Sequence, residues 1–382
     1  MTPAARAAAA IAVLDRILAG EPAEKALTGW GRASRYAGSG DRAAVRDLVF
    51  DALRCKRSFA ALGGAMSGRG LVLGSARAAG LDPALWFDGT AHGPAPVGDE
   101  PGHTAEGAAA LDVPDWLLPP LRAALGPDCD AVLAAMRQRA PVVLRVNLGK
   151  ASPAAALAAL TEDGIEAMPH PLAAAALEVT GGARKVQASR AYAEGMVELQ
   201  DAASQAVVEA LPLRDGMKVL DLCAGGGGKT LAMAARARIK AFAHDIAARR
   251  MADLPARAQR AGVKVTLTEA PEKTAPYDLI LTDVPCSGSG SWRRDPEGKW
   301  RLTPARLEEL QGLQSQILNR AASMMGPGGT LAYATCSFFR AENEDRISDF
   351  LAANAAWRCT MQQRFTPLQG GDGFFLALLS RD

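Results

Sequence analysis

The chain has 382 residues, 49% of them hydrophobic and 22% charged, enough for two or three domains with cores of their own; a disordered chain and a small disulfide-stapled scaffold are excluded. The formal net charge is only +2, so a nucleic-acid partner has to be sought in local patches. Residues 1–80 hold twelve Lys and Arg against six Asp and Glu, whereas the remainder holds 31 against 35.

From Ala4 to about Met66 the apolar spacing is helical, first with Ile11, Leu14 and Leu18 on one face. Leu48, Phe50, Leu53 and Phe59 then stand among Arg42, Arg46, Arg54, Lys56 and Arg57, which predicts a basic face suited to phosphates. The apolar stretch Ala7 to Leu14 is not read as a signal peptide, because Asp15 and Arg16 follow at once. No apolar run approaches the ~20 residues that cross a bilayer, so no membrane partner is expected. Residues 88–104 turn to Gly, Pro, His and acid, the composition of a linker. Helical signals resume from Pro114 to Arg139, followed by a strand at Val142–Val146, a helix from Pro153 to Leu160, and weak strands between Ile165 and Val179. These make a small α/β module.

From about Leu199 short apolar strands alternate with helical segments: 218–222, 240–244, 263–267, 278–282, 330–334 and 374–379. That alternation predicts a parallel, doubly wound α/β sheet, which binds ligands at the carboxyl ends of its strands. The expected domains are 1–110, 111–198 and 199–382. Six cysteines lie far apart with no C-x-x-C pair, which fits a reduced, cytoplasmic setting and no metal site.

The first of these strands runs into Asp221-Leu-Cys223-Ala224-Gly225-Gly226-Gly227-Gly228-Lys229-Thr230. Four glycines let the backbone approach a ligand before a helix begins. A P-loop needs Gly where Cys223 stands, and a dinucleotide fingerprint needs Gly where Thr230 stands. S-adenosylmethionine fits a different pattern, with one acid before the loop and a second at the end of the next strand. Asp221 and Asp245 stand in those places.

The fourth strand ends in Asp283-Val-Pro-Cys286 and the fifth in Ala-Thr-Cys336-Ser. A single free cysteine is most often a small buried hydrophobe. Two on neighbouring strand ends point to chemistry, and the chemistry that requires a thiol is methylation of carbon 5 of cytosine. That carbon is a poor nucleophile until a thiolate adds to carbon 6. Asp283 is the candidate acid beside ring nitrogen 3, and a second cysteine suits the release step. The four histidines, His92, His103, His170 and His244, read as turn or surface residues.

With these motifs, and with Glu198-Leu-Gln-Asp-Ala-Ala-Ser-Gln205, Arg293-Arg-Asp-Pro296, Glu342-Asn-Glu344 and Asp372-Gly-Phe-Phe375, the chain resembles the Sun-type RNA (cytosine-5) methyltransferases, in particular the RsmB-like ribosomal-RNA enzymes. The resemblance implies a class I, Rossmann-like S-adenosylmethionine methyltransferase domain, preceded by a small α/β RNA-binding module and an all-α NusB-like domain. It further implies Cys336 as nucleophile, Cys286 as the residue that helps release product, and Asp283 as the acid that orients the base. Cofactor contacts would come from Asp221, the loop residues 223–229, Asp245 and Asp283. Two departures stand out: the family loop reads Ala-Pro where this chain has Gly225-Gly226, and a Gly-Asp-Ala context near the adenine is replaced by Thr268-Glu269-Ala270, so Glu269 is the acid carried over. The implied partner is ribosomal RNA, 16S in particular, with transfer RNA as the alternative, and a monomer is expected. A non-catalytic RNA-binding scaffold and a DNA cytosine methyltransferase are the rivals of other kinds.

Overall fold

A computed structural model describes residues 1–381. The chain divides into two compact units, one of residues 1–139 with 292–301, the other of residues 140–291 with 302–381.

The first unit is helical. Its opening helix, Pro3–Leu18, begins where the Thr2 hydroxyl accepts the amide of Ala5 and Pro3 supplies a ready-made φ. Four more helices, Ala23–Ala33, Ser39–Arg54, Lys56–Gly63 and Gly68–Ala78, close over a core that includes Leu14, Val45, Val49, Leu71 and Phe87. The last two cross so closely that a Cβ on Gly74 would stand 1.9 Å from the carbonyl oxygen of Phe59.

By its contacts this compact unit runs on to residue 139. Asp112 is fully buried and accepts the amides of Arg57 and Ser58 at 2.9 Å and the Ser58 hydroxyl at 2.7 Å, while Arg137 pairs with it at 2.9 Å. Residues on both sides of the helices at 118–125 and 129–136 are therefore tied to the helix that starts at Lys56. The unit also takes in the distant helix Pro296–Arg301, whose Trp300 indole donates to the Leu53 carbonyl at 2.7 Å.

Of the predicted basic face, Arg42 and Arg46 are exposed, Lys56 and Arg57 are half-buried, and Arg54 is buried. Arg54 is 6% exposed and donates to the Arg293 carbonyl and to Asp51. Arg57 forks onto Asp115 and the Val113 carbonyl, Arg46 is held bidentate by Glu24, and Lys56 lies over the Trp300 ring. Arg54 pairs with an acid one turn away, and Arg46 and Arg57 pair with acids from other elements, so local charge counted along the sequence overstates the unpaired charge.

The second unit holds two sheets. The smaller is antiparallel, built from β1 (Val142–Val146), β2 (Glu166–Pro169), β3 (Ala176–Gly181) and β4 (Val197–Leu199) in the order β2-β3-β1-β4. The larger contains β5 (Lys218–Asp221), β6 (Lys240–Ala243), β7 (Val265–Leu267), β8 (Tyr277–Asp283), β9 (Met325–Thr335), β10 (Trp357–Phe365) and β11 (Phe374–Arg381). Its order is β10-β11-β9-β8-β5-β6-β7, with β9 through β7 parallel and the β9-β11-β10 edge antiparallel. Leu279, Ile280 and Leu281 of β8 are buried on both faces, as strands covered by helices on both sides must be. The chain winds outward from β5 in one direction and from β8 in the other, so the switch point of the sheet lies between their carboxyl ends.

β10 was not predicted from the sequence. It is an edge strand whose Arg358, Thr360, Gln362 and Gln363 are exposed, and a bulge between Cys359 and Met361 breaks the two-residue period. An edge strand buries one face at most, which removes the apolar run that marked the central strands.

Candidate active site

The glycine loop leaves β5 and turns into the helix Gly228–Arg236. Gly225 and Gly227 take φ of +51° and +79°, and a Cβ at Gly227 would sit 2.2 Å from the Leu254 side chain. Glycine is therefore required at 227 on two counts. Asp245, just past β6, pins the loop: its carboxylate accepts the amides of Gly225 and Ala247, each at 2.9 Å, and pairs with Arg250 at 3.0 Å.

A cavity of about 220 Å³ opens beside this loop, lined among others by Cys223, Asp245, Ile246, Pro285, Ile317 and Arg320. Ile246 is 89% exposed, an apolar surface at a strand end that a flat ligand would cover. His244 lines the cavity too and is buried, its Nδ1 2.9 Å from the Thr268 carbonyl and its Nε2 accepting from Arg320 at 3.2 Å. His244 is therefore not a surface residue; His170 is also buried, at the turn between β2 and β3 where a turn histidine was expected.

Asp221 does not line the cavity. It is 1% exposed, shut behind the loop, where one oxygen accepts the Thr230 hydroxyl at 2.6 Å and the other has no hydrogen-bond partner. Burial pushes its pKa up to about 7, with the Thr230 bond opposing the shift. Burial also raises the Cys223 thiol. Glu269 is exposed and is not among the lining residues. The expected acid near an adenine is thus not brought to the cavity, because β7 ends at Leu267 and Glu269 turns outward beyond it.

The two cysteines meet. β8 and β9 are parallel neighbours with Asp283 opposite Ala334, so the residues two and three further along emerge side by side, and the two sulfurs of Cys286 and Cys336 lie 3.4 Å apart. The hydrogen bond to Cys336 and burial hold the Cys286 thiol well above its ordinary range. Lys229, from the glycine loop, reaches Asp283 at 2.7 Å and lies over the Phe374 ring. Burial works against the Lys229 charge, but Asp283 outweighs it and the pKa is raised.

The structure thus gathers the loop 223–229, Asp245, Asp283, Cys286 and Cys336 at the switch point. Sequence reasoning missed Ile246, Arg250 and Arg320 around the cavity, and marked Glu342 only as part of a family motif without a role beside the cysteines. An apolar residue directly after the strand-end acid was a usable signal for Ile246. Arg320 comes from the long helix Pro304–Ser323, where nothing local marks a ligand contact.

The donor set fits S-adenosylmethionine: an apolar-walled cavity at the end of β5 and β6, a glycine loop, and a strand-end carboxylate at its rim. Sheet order and loop together define a Rossmann-like methyltransferase domain. Residues 208–380 match the family described as 16S rRNA methyltransferase RsmB/F, and residues 113–187 match the ferredoxin-like domain described for RsmF/B-like methyltransferases. The chain is 37% identical over 284 residues to ribosomal RNA small subunit methyltransferase B of Klebsiella pneumoniae, covering 70% of this chain and 65% of that protein. It is 32% identical over 330 residues to the protein of the same description in Xanthomonas campestris, covering 81% and 73%. The chain belongs to the RsmB/F family, and it spans 65% of the length of the Klebsiella relative. The crystal structure of PH0851 shares the fold, with a TM-score of 0.77 at 23% identity over 100% of this chain and 99% of that one.

Proposed function

We propose that the protein transfers a methyl group from S-adenosylmethionine to carbon 5 of a cytosine in RNA, 16S ribosomal RNA in particular, through a covalent bond between Cys336 and carbon 6. The observation that carries this reading is the pair of thiols 3.4 Å apart beside Asp283 and Lys229. An amine-directed methyltransferase has no use for either sulfur.

S-adenosylmethionine, when bound, supplies an electrophilic methyl group. The chain's own residues prepare the base. The Cys336 thiolate adds to carbon 6, and the displaced π electron pair makes carbon 5 nucleophilic. Asp283 accepts a hydrogen bond from the amino group beside ring nitrogen 3 and so orients the base. Once carbon 5 has taken the methyl group, a water molecule accepts its proton, the C–H electron pair re-forms the 5,6 double bond, and the sulfur–carbon 6 bond breaks to return the Cys336 thiolate. Cys286 assists that release. A base inside a helix cannot reach this site, so the cytosine must leave its stack at a cost of a few kcal/mol.

The test is incubation of the protein with radiolabelled S-adenosylmethionine and 16S RNA from cells lacking the gene, followed by bisulfite sequencing. The expected product is 5-methylcytosine at a discrete position. Label confined to transfer RNA would move the substrate assignment, and no label in any RNA would overturn the reading.

A further inference from the structure

The glycine loop is held residue by residue, and the holds differ in kind. The Gly225 amide is taken by Asp245, the Gly227 amide donates to the Ala224 carbonyl at 2.8 Å, and the Gly228 carbonyl accepts from Arg145 at 2.7 Å. Gly226 is exposed, and among the described residues its backbone makes one hydrogen bond, in which its carbonyl accepts from Arg257 Nη1. Arg257 stands on the helix Leu254–Ala261, and its guanidinium is braced in turn by Glu198 of β4, 3.4 Å from Nε. Arg260, one turn on, reaches the same Glu198 oxygen at 2.8 Å and lies over the Tyr192 ring. A Cβ at Gly226 would stand 3.0 Å from Arg257 Nη1, so the guanidinium occupies the space that a side chain at 226 would enter. That is the position where the family loop carries proline. Glycine loses more conformational freedom on ordering than any other residue, so a turn of two glycines needs an outside hold unless the ligand itself is to supply the order.

We propose that Arg257 is a positioning residue for S-adenosylmethionine: braced on Glu198, it holds the Gly226 carbonyl and keeps the loop in the shape that receives the cofactor, as a proline ring at 226 would. The inference rests on the cofactor reading above. Arg257 is not among the residues that line the cavity, so it acts through the loop. Glu198 keeps Arg260 when Arg257 is lost, and a substitution at 257 therefore leaves no acid without a partner. Gly226, unlike Gly225 and Gly227, does not take a positive φ, and among the described residues its amide donates no hydrogen bond. Proline at 226 therefore removes no bond of the loop.

The test is titration calorimetry of the full chain with S-adenosylhomocysteine, together with amide hydrogen exchange of the peptide 222–230 without ligand. Arg257→Ala should weaken S-adenosylhomocysteine about tenfold, the effect of one hydrogen bond from a charged donor, and should speed exchange in the loop. Gly226→Pro separates positioning from general support. Added to Arg257→Ala it supplies the missing stiffness and should bring affinity back to within about threefold of wild type. Beside an intact Arg257 it crowds the guanidinium and should gain nothing. Unchanged affinity in Arg257→Ala would overturn the proposal, and so would a loss that Gly226→Pro does not restore, since Arg257 would then support the fold at large. Should the alanine variant not fold, Arg257→Met keeps the apolar stem and gives the same comparison. A wild type that fails to bind S-adenosylhomocysteine would remove the cofactor reading, and loop exchange in the variants would still decide whether Arg257 holds Gly226.

Discussion

Asp221 carries a measurable signature of its burial behind the glycine loop. Its pKa of about 7 in the folded protein lies above the ordinary 3.8, chiefly because burial disfavours the charge. Between those values the unfolded chain has released the proton and the folded chain has not, so stability falls as pH rises through that window and levels off above about 7. Asp221→Asn removes the ionisation. Its Tm relative to wild type should climb from pH 5 to pH 7, by the equivalent of about 2–3 kcal/mol, and then stay constant. Calorimetry at four pH values checks this, and a pH-independent difference would refute it. At the thiols, the proposed mechanism makes addition and release separate steps. Cys336→Ala should abolish transfer and form no adduct, whereas Cys286→Ala should accumulate an RNA–protein complex that survives denaturing gels; the adduct appearing with the first variant would reverse the two roles. Asp245→Ala should weaken S-adenosylmethionine about ten- to hundredfold by titration calorimetry, since it removes a carboxylate at the cavity rim and frees the Gly225 amide as well.

The element that most changes the sequence-based picture is the helix Ser39–Arg54 with the one that follows it. Arg54 and Arg57 are spent on carbonyls and carboxylates of their own unit, so they act on stability and not on phosphate binding. Arg54→Ala should cost about 1–3 kcal/mol by denaturant unfolding, since it strips buried acceptors of a charged donor. The slope of log affinity for RNA against log salt should stay unchanged in the same variant. A shallower slope at unchanged stability would restore the basic-face reading. In the catalytic sheet, β8 and β9 matter through register alone. Because Asp283 stands opposite Ala334, any slip of one residue would move one cysteine to the other face and separate the sulfurs.

At the scale of the whole molecule, the helical unit is assembled from two stretches of chain, 1–139 and 292–301. Asp112 fastens the segment 111–139 to the Lys56 helix, and leaving Arg137 and two amides without it should cost about 3–5 kcal/mol in Asp112→Ala. A chain shortened to begin at 111 would keep the helices at 118–125 and 129–136 while losing the Lys56 helix that Asp112 and Arg137 grip. It should therefore melt lower and aggregate more readily than a chain that begins at 140. Scanning calorimetry and light scattering on the two shortened proteins distinguish them, and equal behaviour would show that the helices at 118–136 are stable without the N-terminal ones.

Much of the catalytic unit was legible before folding. Strands buried on both faces leave continuous apolar runs, so β5, β6, β8 and β9 were readable within a few residues, and the acids, glycines and cysteines at their ends were readable with them. Local chemistry determined these features: a positive φ demands glycine, and a strand run that stops at an Asp places that Asp at the sheet edge. Other features depend on which distant residues meet. The 3.4 Å contact between sulfurs fifty residues apart follows from strand register. Glu342 under the two thiols, Arg320 at the cavity and the helix 296–301 in the other unit are placed by packing between segments that no short window contains. The fate of the basic residues belongs with these. A sequence counts charges, but only the tertiary structure decides which of them find a buried partner and which remain in water, because that depends on the acids and carbonyls the fold brings within about 3 Å.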